Sequence, residues 1–124
     1  MKTAFDSTFQ LHPRQTLLVL TNLPDQGSAR TLATMLVNKR LAACVNLLAP
    51  CRSIYRWRGE IESAEEIPVL IKTTTECYAA LEAAIRAHHP YELPEIVAVP
   101  IDHGLPEYLA WVAAETLVDD GPKC

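Results

Sequence analysis

The sequence is poor in glycine, in aromatic residues and in positive charge. Four glycines in 124 residues, never adjacent, leave no loop of the kind that cradles phosphate. Only 6% of residues are aromatic and both phenylalanines fall in the first ten positions, so a core must rely on Leu, Val, Ile and Ala. Eleven Lys and Arg against fifteen Asp and Glu give a net charge of −4, the wrong sign for a domain that grips nucleic acid by counterion release. The longest apolar stretch, Leu41 to Ala49, is broken by Asn46 and is far too short to cross a bilayer. There is no HExxH pair and no Gly-x-Ser-x-Gly elbow, so catalysis ranks below a binding or regulatory role. The four cysteines form no CxxC pair or finger-like spacing. Cys44 and Cys77 are expected to act as small buried hydrophobes, and the terminal Cys124 to fray. Residues 1–14 lack an apolar run and a small-residue cleavage site; they are expected to be a polar tail, with the protein in the cytoplasm.

What is present is an apolar majority with regular spacing. Hydrophobic residues make up 49% of a chain long enough for one domain, expected over 15–119, followed by a polar tail at 120–124. The run Thr16 to Thr21 fits a buried strand and ends at the turn signal Asn22-Leu23-Pro24-Asp25. Asp25 is a good N-cap for a helix whose stripe is Ala29, Leu32, Ala33, Leu36 and Val37. Leu41 to Leu48 predicts a second strand. Arg52 to Arg58 continues extended and turns at Gly59, which predicts a hairpin with Arg56 and Arg58 facing Glu60 and Glu62. Ile67 to Thr73 predicts a third strand and Glu95 to Ile101 a fourth. Between them, Thr73-x-x-Glu76 reads as a capping box opening a helix with the face Cys77, Leu81, Ala84, Ile85 and His88, ended before Pro90. A last helix is expected from Pro106, with Leu105, Tyr108, Leu109 and Val112 on one side.

Two strand–helix–strand units joined by a hairpin predict an α+β ferredoxin-like sandwich (βαββαβ, antiparallel sheet) with an extended hairpin and a C-terminal helix. Its two helices cover one sheet face. The runs LLVL, VLI and IVAV are apolar at successive positions, so the other face also calls for burial, and self-association is expected. The arginines at 52, 56 and 58 alternate with Tyr55 and Trp57 in a way that imitates a stacking sheet for single-stranded nucleic acid. A regular strand places the aromatics opposite the arginines, and four glutamates between 60 and 66 neutralise the strip, so hairpin pairing is the better reading.

The blocks TNLPD (21–25), KRLAACVN (39–46), SIYRWRGEI (53–61), IKT (71–73), HHPYELPEI (88–96) and YLAWV (108–112) resemble the CutA family of divalent-cation-tolerance proteins. The resemblance runs from about residue 15 to 118. It implies a homotrimer with the architecture of the PII-like regulatory proteins, hairpins pairing between subunits, a link to copper and other divalent metals, and no catalytic activity.

Within that resemblance His88 and His89 are the metal candidates, since neutral imidazole suits copper, zinc and nickel. Neighbours on a helix point about 100° apart, so the pair meets one ion only if the helix has unwound before Pro90. The family's copper ligation adds a cysteine at the position of Thr21, whose hydroxyl suits copper poorly. The plainer reading is that His88 lies on the apolar stripe and bonds locally. Lys72 and Glu95, with Trp57, Tyr91 and Trp111, are candidates to line a cleft between subunits for a small anionic effector, by analogy with the PII-like fold. The plainer reading there is a Lys72–Glu95 ion pair with aromatic packing.

Overall fold

The structure is a computed structural model in which residues 14–116 are described. His12, Cys124 and the expected tails, apart from Arg14, lie outside the described residues. Among these, β1 (Thr16–Leu23), α1 (Gln26–Asn38), β2 (Cys44–Leu47), β3 (Cys51–Trp57), β4 (Glu60–Thr74), α2 (Thr75–His88), β5 (Val97–Pro100) and α3 (Pro106–Glu115) follow in order. The fold is α+β, with an antiparallel sheet ordered β2-β4-β1-β5 and β3 attached to β4.

Alternation along the strands divides the sheet into two faces. Leu17, Val19 and Leu23 of β1 and Ile67, Val69 and Ile71 of β4 are buried against Ala29, Leu32 and Leu36 of α1 and Leu81 and Ile85 of α2. The opposite face carries two paired rows, Cys44–Lys72–Leu18–Val99 and Asn46–Leu70–Leu20–Val97. Val97 and Val99 stay about half exposed there. The sequence expectation of strands apolar on both faces therefore holds, and the second face is only partly covered within one chain.

β4 is twice the expected strand. Ile67–Thr74 pairs with β1, while Glu60–Glu66 pairs with β3 as a seven-rung hairpin, roughly 23 Å long at 3.3 Å per residue. Its two-residue loop has positive φ at Arg58 (51°) and Gly59 (85°), the turn whose twist matches the flanking strands. The register corrects the expected charge pairing. Trp57 faces Glu60, Tyr55 faces Glu62, and Arg56 faces Ile61, because Arg58 belongs to the turn. The aromatics do lie opposite Arg52 and Arg56, as the alternation required.

Other expectations also change. Leu41–Leu48 shortens to Cys44–Leu47, because Ala42 tucks beneath α1 with its N–H on Leu36 O; Glu95–Ile101 shortens to Val97–Pro100. The expected capping box does not form: Thr74 is the N-cap without a side-chain bond, Thr73 Oγ1 donates to Leu41 O (2.7 Å), and Glu76 pairs with Arg14 (3.0 Å). Asp25 does cap α1, its Oδ1 accepting from Ser28 N (2.8 Å), although Val37 is left exposed. On α3 only Val112 is fully buried; Leu105 and Tyr108 are exposed. Cys77 is buried, but Cys44 is half-exposed.

Candidate functional site

α2 ends at His88 because Pro90 lacks the N–H to continue it and disfavours helical backbone at the residue before it. His89 is accordingly extended (φ −83°, ψ 135°). The two imidazoles therefore leave the helix end in different environments. His88 is exposed and its Nδ1 lies 2.9 Å from Ala84 O. A carbonyl only accepts, so Nδ1 carries the hydrogen and the neutral ring keeps its Nε2 lone pair free among the described residues. His88 thus bonds locally, as the plainer reading expected, but it is exposed at the end of the apolar stripe.

His89 is the buried member, 9% exposed. Its Nε2 donates to Asn22 O at the end of β1 (2.7 Å), and its Nδ1 accepts from Tyr91 N (3.1 Å). That pattern engages both ring nitrogens. Tyr91 packs on it with ring centroids 4.8 Å apart. Thr21, on the helix-facing side of β1, is buried and its hydroxyl has no hydrogen-bond partner among the described residues. Among those residues no group of three His, Cys, Asp or Glu side chains is placed to hold a metal. Of this pair His88 alone offers a ready imidazole donor; a two-imidazole site requires His89 Nδ1 to release Tyr91 N–H.

The five expected cleft residues are not gathered within a single chain. Lys72 bonds Asn46 Oδ1, its neighbour on the outer face, and Glu95 Oε1 accepts from Asn22 Nδ2 (2.9 Å). The expected Lys72–Glu95 pair is therefore absent, since each end meets an asparagine first. Trp57 lies at the hairpin end under the Arg58 guanidinium (5.1 Å), and Trp111 stacks on Tyr108 of α3 (5.5 Å). Tyr91 turns its phenol to Glu66. Burial first, then the Glu66 carboxylate, pushes its pKa up to about 12.

Sequence reasoning missed Asn22 and Glu66. Asn22 meets His89 through its carbonyl and Glu95 through its amide, while Glu66, 8% exposed, faces Tyr91. The only signal in the sequence was the density of polar residues at the ends of otherwise apolar strands. The residues between α2 and β5 thus tie β1 to the hairpin, and both histidines sit where that connection starts.

Fold and site together define a small α+β protein with an imidazole pair at a helix end and a projecting hairpin. The chain belongs to the CutA1 divalent ion tolerance protein family, whose model matches residues 17–115. It is 48% identical over 99 residues to the divalent-cation tolerance protein CutA of Thermus thermophilus, covering 80% of this chain and 96% of that protein. The crystal structure of CutA from Xylella fastidiosa superposes with a TM-score of 0.80 at 44% identity, covering 82% of this chain and 97% of that one. CutA1 of the psychrotrophic bacterium Shewanella sp. SIB1 gives 0.80 at 39% identity, with 84% and 97% covered.

Proposed function

We propose that this protein serves divalent-metal tolerance by binding the metal itself, with copper the leading ion, and that it works without catalysis as a homotrimer. Membership of a family named for divalent ion tolerance supports the role. The observation that carries the site is the free Nε2 lone pair of His88, exposed at the end of α2 beside His89. Imidazole nitrogen suits copper, zinc and nickel, and copper binds most tightly among such ions. His88 is the first donor, and His89 joins it when its Nδ1 gives up Tyr91 N–H. Thr21, where the family resemblance leads one to expect a cysteine, supplies no soft ligand. Further donors then come from water or a neighbouring subunit.

The functional unit in this reading is the single domain 15–119, a ferredoxin-like sandwich assembled as in PII-like trimers. Exposed Ile54 (73%) and Ile61 (64%) on the hairpin support assembly, as do the apolar rows on the sheet face away from α1 and α2. The effector-cleft alternative has no comparable support, because Lys72 and Glu95 each answer to an asparagine.

Calorimetric titration of the full chain with Cu(II) tests the metal reading. Stoichiometric binding that weakens at least tenfold in His88→Ala is expected; equal affinity in the two proteins would remove the site.

A further inference from the structure

The residues between α2 and β5 have no regular structure over 89–96, yet they are fastened at both flanks. On the sheet side, His89 Nε2 donates to Asn22 O (2.7 Å) and Asn22 Nδ2 donates to Glu95 Oε1 (2.9 Å). On the hairpin side, the Tyr91 phenol meets Glu66 at the base and Glu92 Oε1 accepts from Arg58 Nη2 at the tip (2.9 Å). Within the segment, Tyr91 N donates to His89 Nδ1 (3.1 Å), and the two rings pack together. Each flank thus has two anchors, and His89 links the first of them to the residue that makes the third.

Within one chain the hairpin has few other fastenings to the body. Its covalent connections to the body are β4 and the short segment Leu48–Pro50, and beyond Glu66 β4 has lost β1 as a partner. Arg58 also adopts left-handed backbone (φ 51°), which is unfavourable for a residue other than glycine. Stacking on Trp57 and bonding to Glu92 hold it there. A solvent-exposed ion pair contributes little to global stability, so Arg58–Glu92 restrains the tip locally and the buried end fastens the base. His89 is the buried group at that end.

We propose that residues 89–95 form a strap that fixes the hairpin against the sheet, with His89 as the positioning residue that buckles it to β1. The histidine pair is then divided in labour: His88 faces outward with a free lone pair, and His89 orders the segment through both ring nitrogens. The inference concerns bonds within the metal-free protein. Failure of the copper titration would leave it standing, and its own failure would leave the copper reading untouched.

Hydrogen–deuterium exchange on the metal-free full chain provides the test. In His89→Ala, exchange is expected to rise tenfold or more over residues 90–96 and over the hairpin, 54–65, while His88→Ala matches the wild type. His89→Gln, which retains one donor and one acceptor, is expected to recover part of the protection. Glu92→Ala, at an exposed pair that folding does not depend on, is expected to raise exchange at the tip, 56–61, alone. That arm remains decisive even if His89→Ala fails to fold. Unchanged hairpin exchange in His89→Ala, equal loosening by His88→Ala, or an unchanged tip in Glu92→Ala would overturn the strap.

Discussion

At the residue scale the two adjacent histidines do different work because the helix stops between them. Helical spacing extends the stripe of Cys77, Leu81 and Ile85 to His88, and that stripe is real as far as Ile85. Pro90 then turns His89 out of the helix and back onto β1. Which ring would be buried was not legible, since it depends on a contact with Asn22, 67 residues away. Tyr91 offers a separate check. Its folded-state pKa of about 12 lies above the ordinary 10.0, so the folded chain holds this proton more tightly than the unfolded one. The resulting stability is complete below pH 10 and disappears as pH rises through 12. Ultraviolet titration of tyrosinate should show a transition near pH 12 that Tyr91→Phe removes; ionisation of all tyrosines together near 10 would contradict the Glu66 contact.

At the element scale, local signals located the helices well and their partners poorly. Asp25 and the spacing of Ala29, Leu32 and Leu36 define α1, because capping and periodicity are properties of neighbouring residues. Thr73 and Glu76 carried an equally local signal, but Leu41 O and Arg14 took them instead. Tertiary partners outbid a capping box when both its members have one. α3 shows the same dependence on distant residues. The carbonyls of its last turn accept from Arg14 Nη2 (Ala113 O, 2.6 Å) and from Arg40 (Ala114 O and Glu115 O, both 3.2 Å). Cations there complement the helix dipole and supply further donors to the carbonyls of the last turn. Arg40→Ala is expected to destabilise the protein by about 1 kcal/mol in urea denaturation. No change in midpoint would mean that Arg40 adds nothing to the hold of Val112 and Arg14 on α3.

At the scale of the whole molecule, the sequence's apolar majority is distributed unevenly. α1 and α2 seal one sheet face, while Leu18, Leu20, Leu70, Val97 and Val99 line the other, and Ile54 and Ile61 stand out on the hairpin. The need for a second cover was legible in runs that are apolar at successive positions. The hairpin's attachment to the 89–95 segment was not, because Arg58–Glu92 and Glu66–Tyr91 join stretches with no shared pattern. Light scattering is expected to give three times the 13.8 kDa chain mass, and a stable monomer would contradict assembly.

The metal reading converges on one atom, the free Nε2 of His88. Electron paramagnetic resonance of the full chain with one equivalent of Cu(II) observes that atom most directly. Splitting from imidazole nitrogen is expected in the wild type and should be lost or reduced in His88→Ala; an identical spectrum in the two proteins would contradict the assignment.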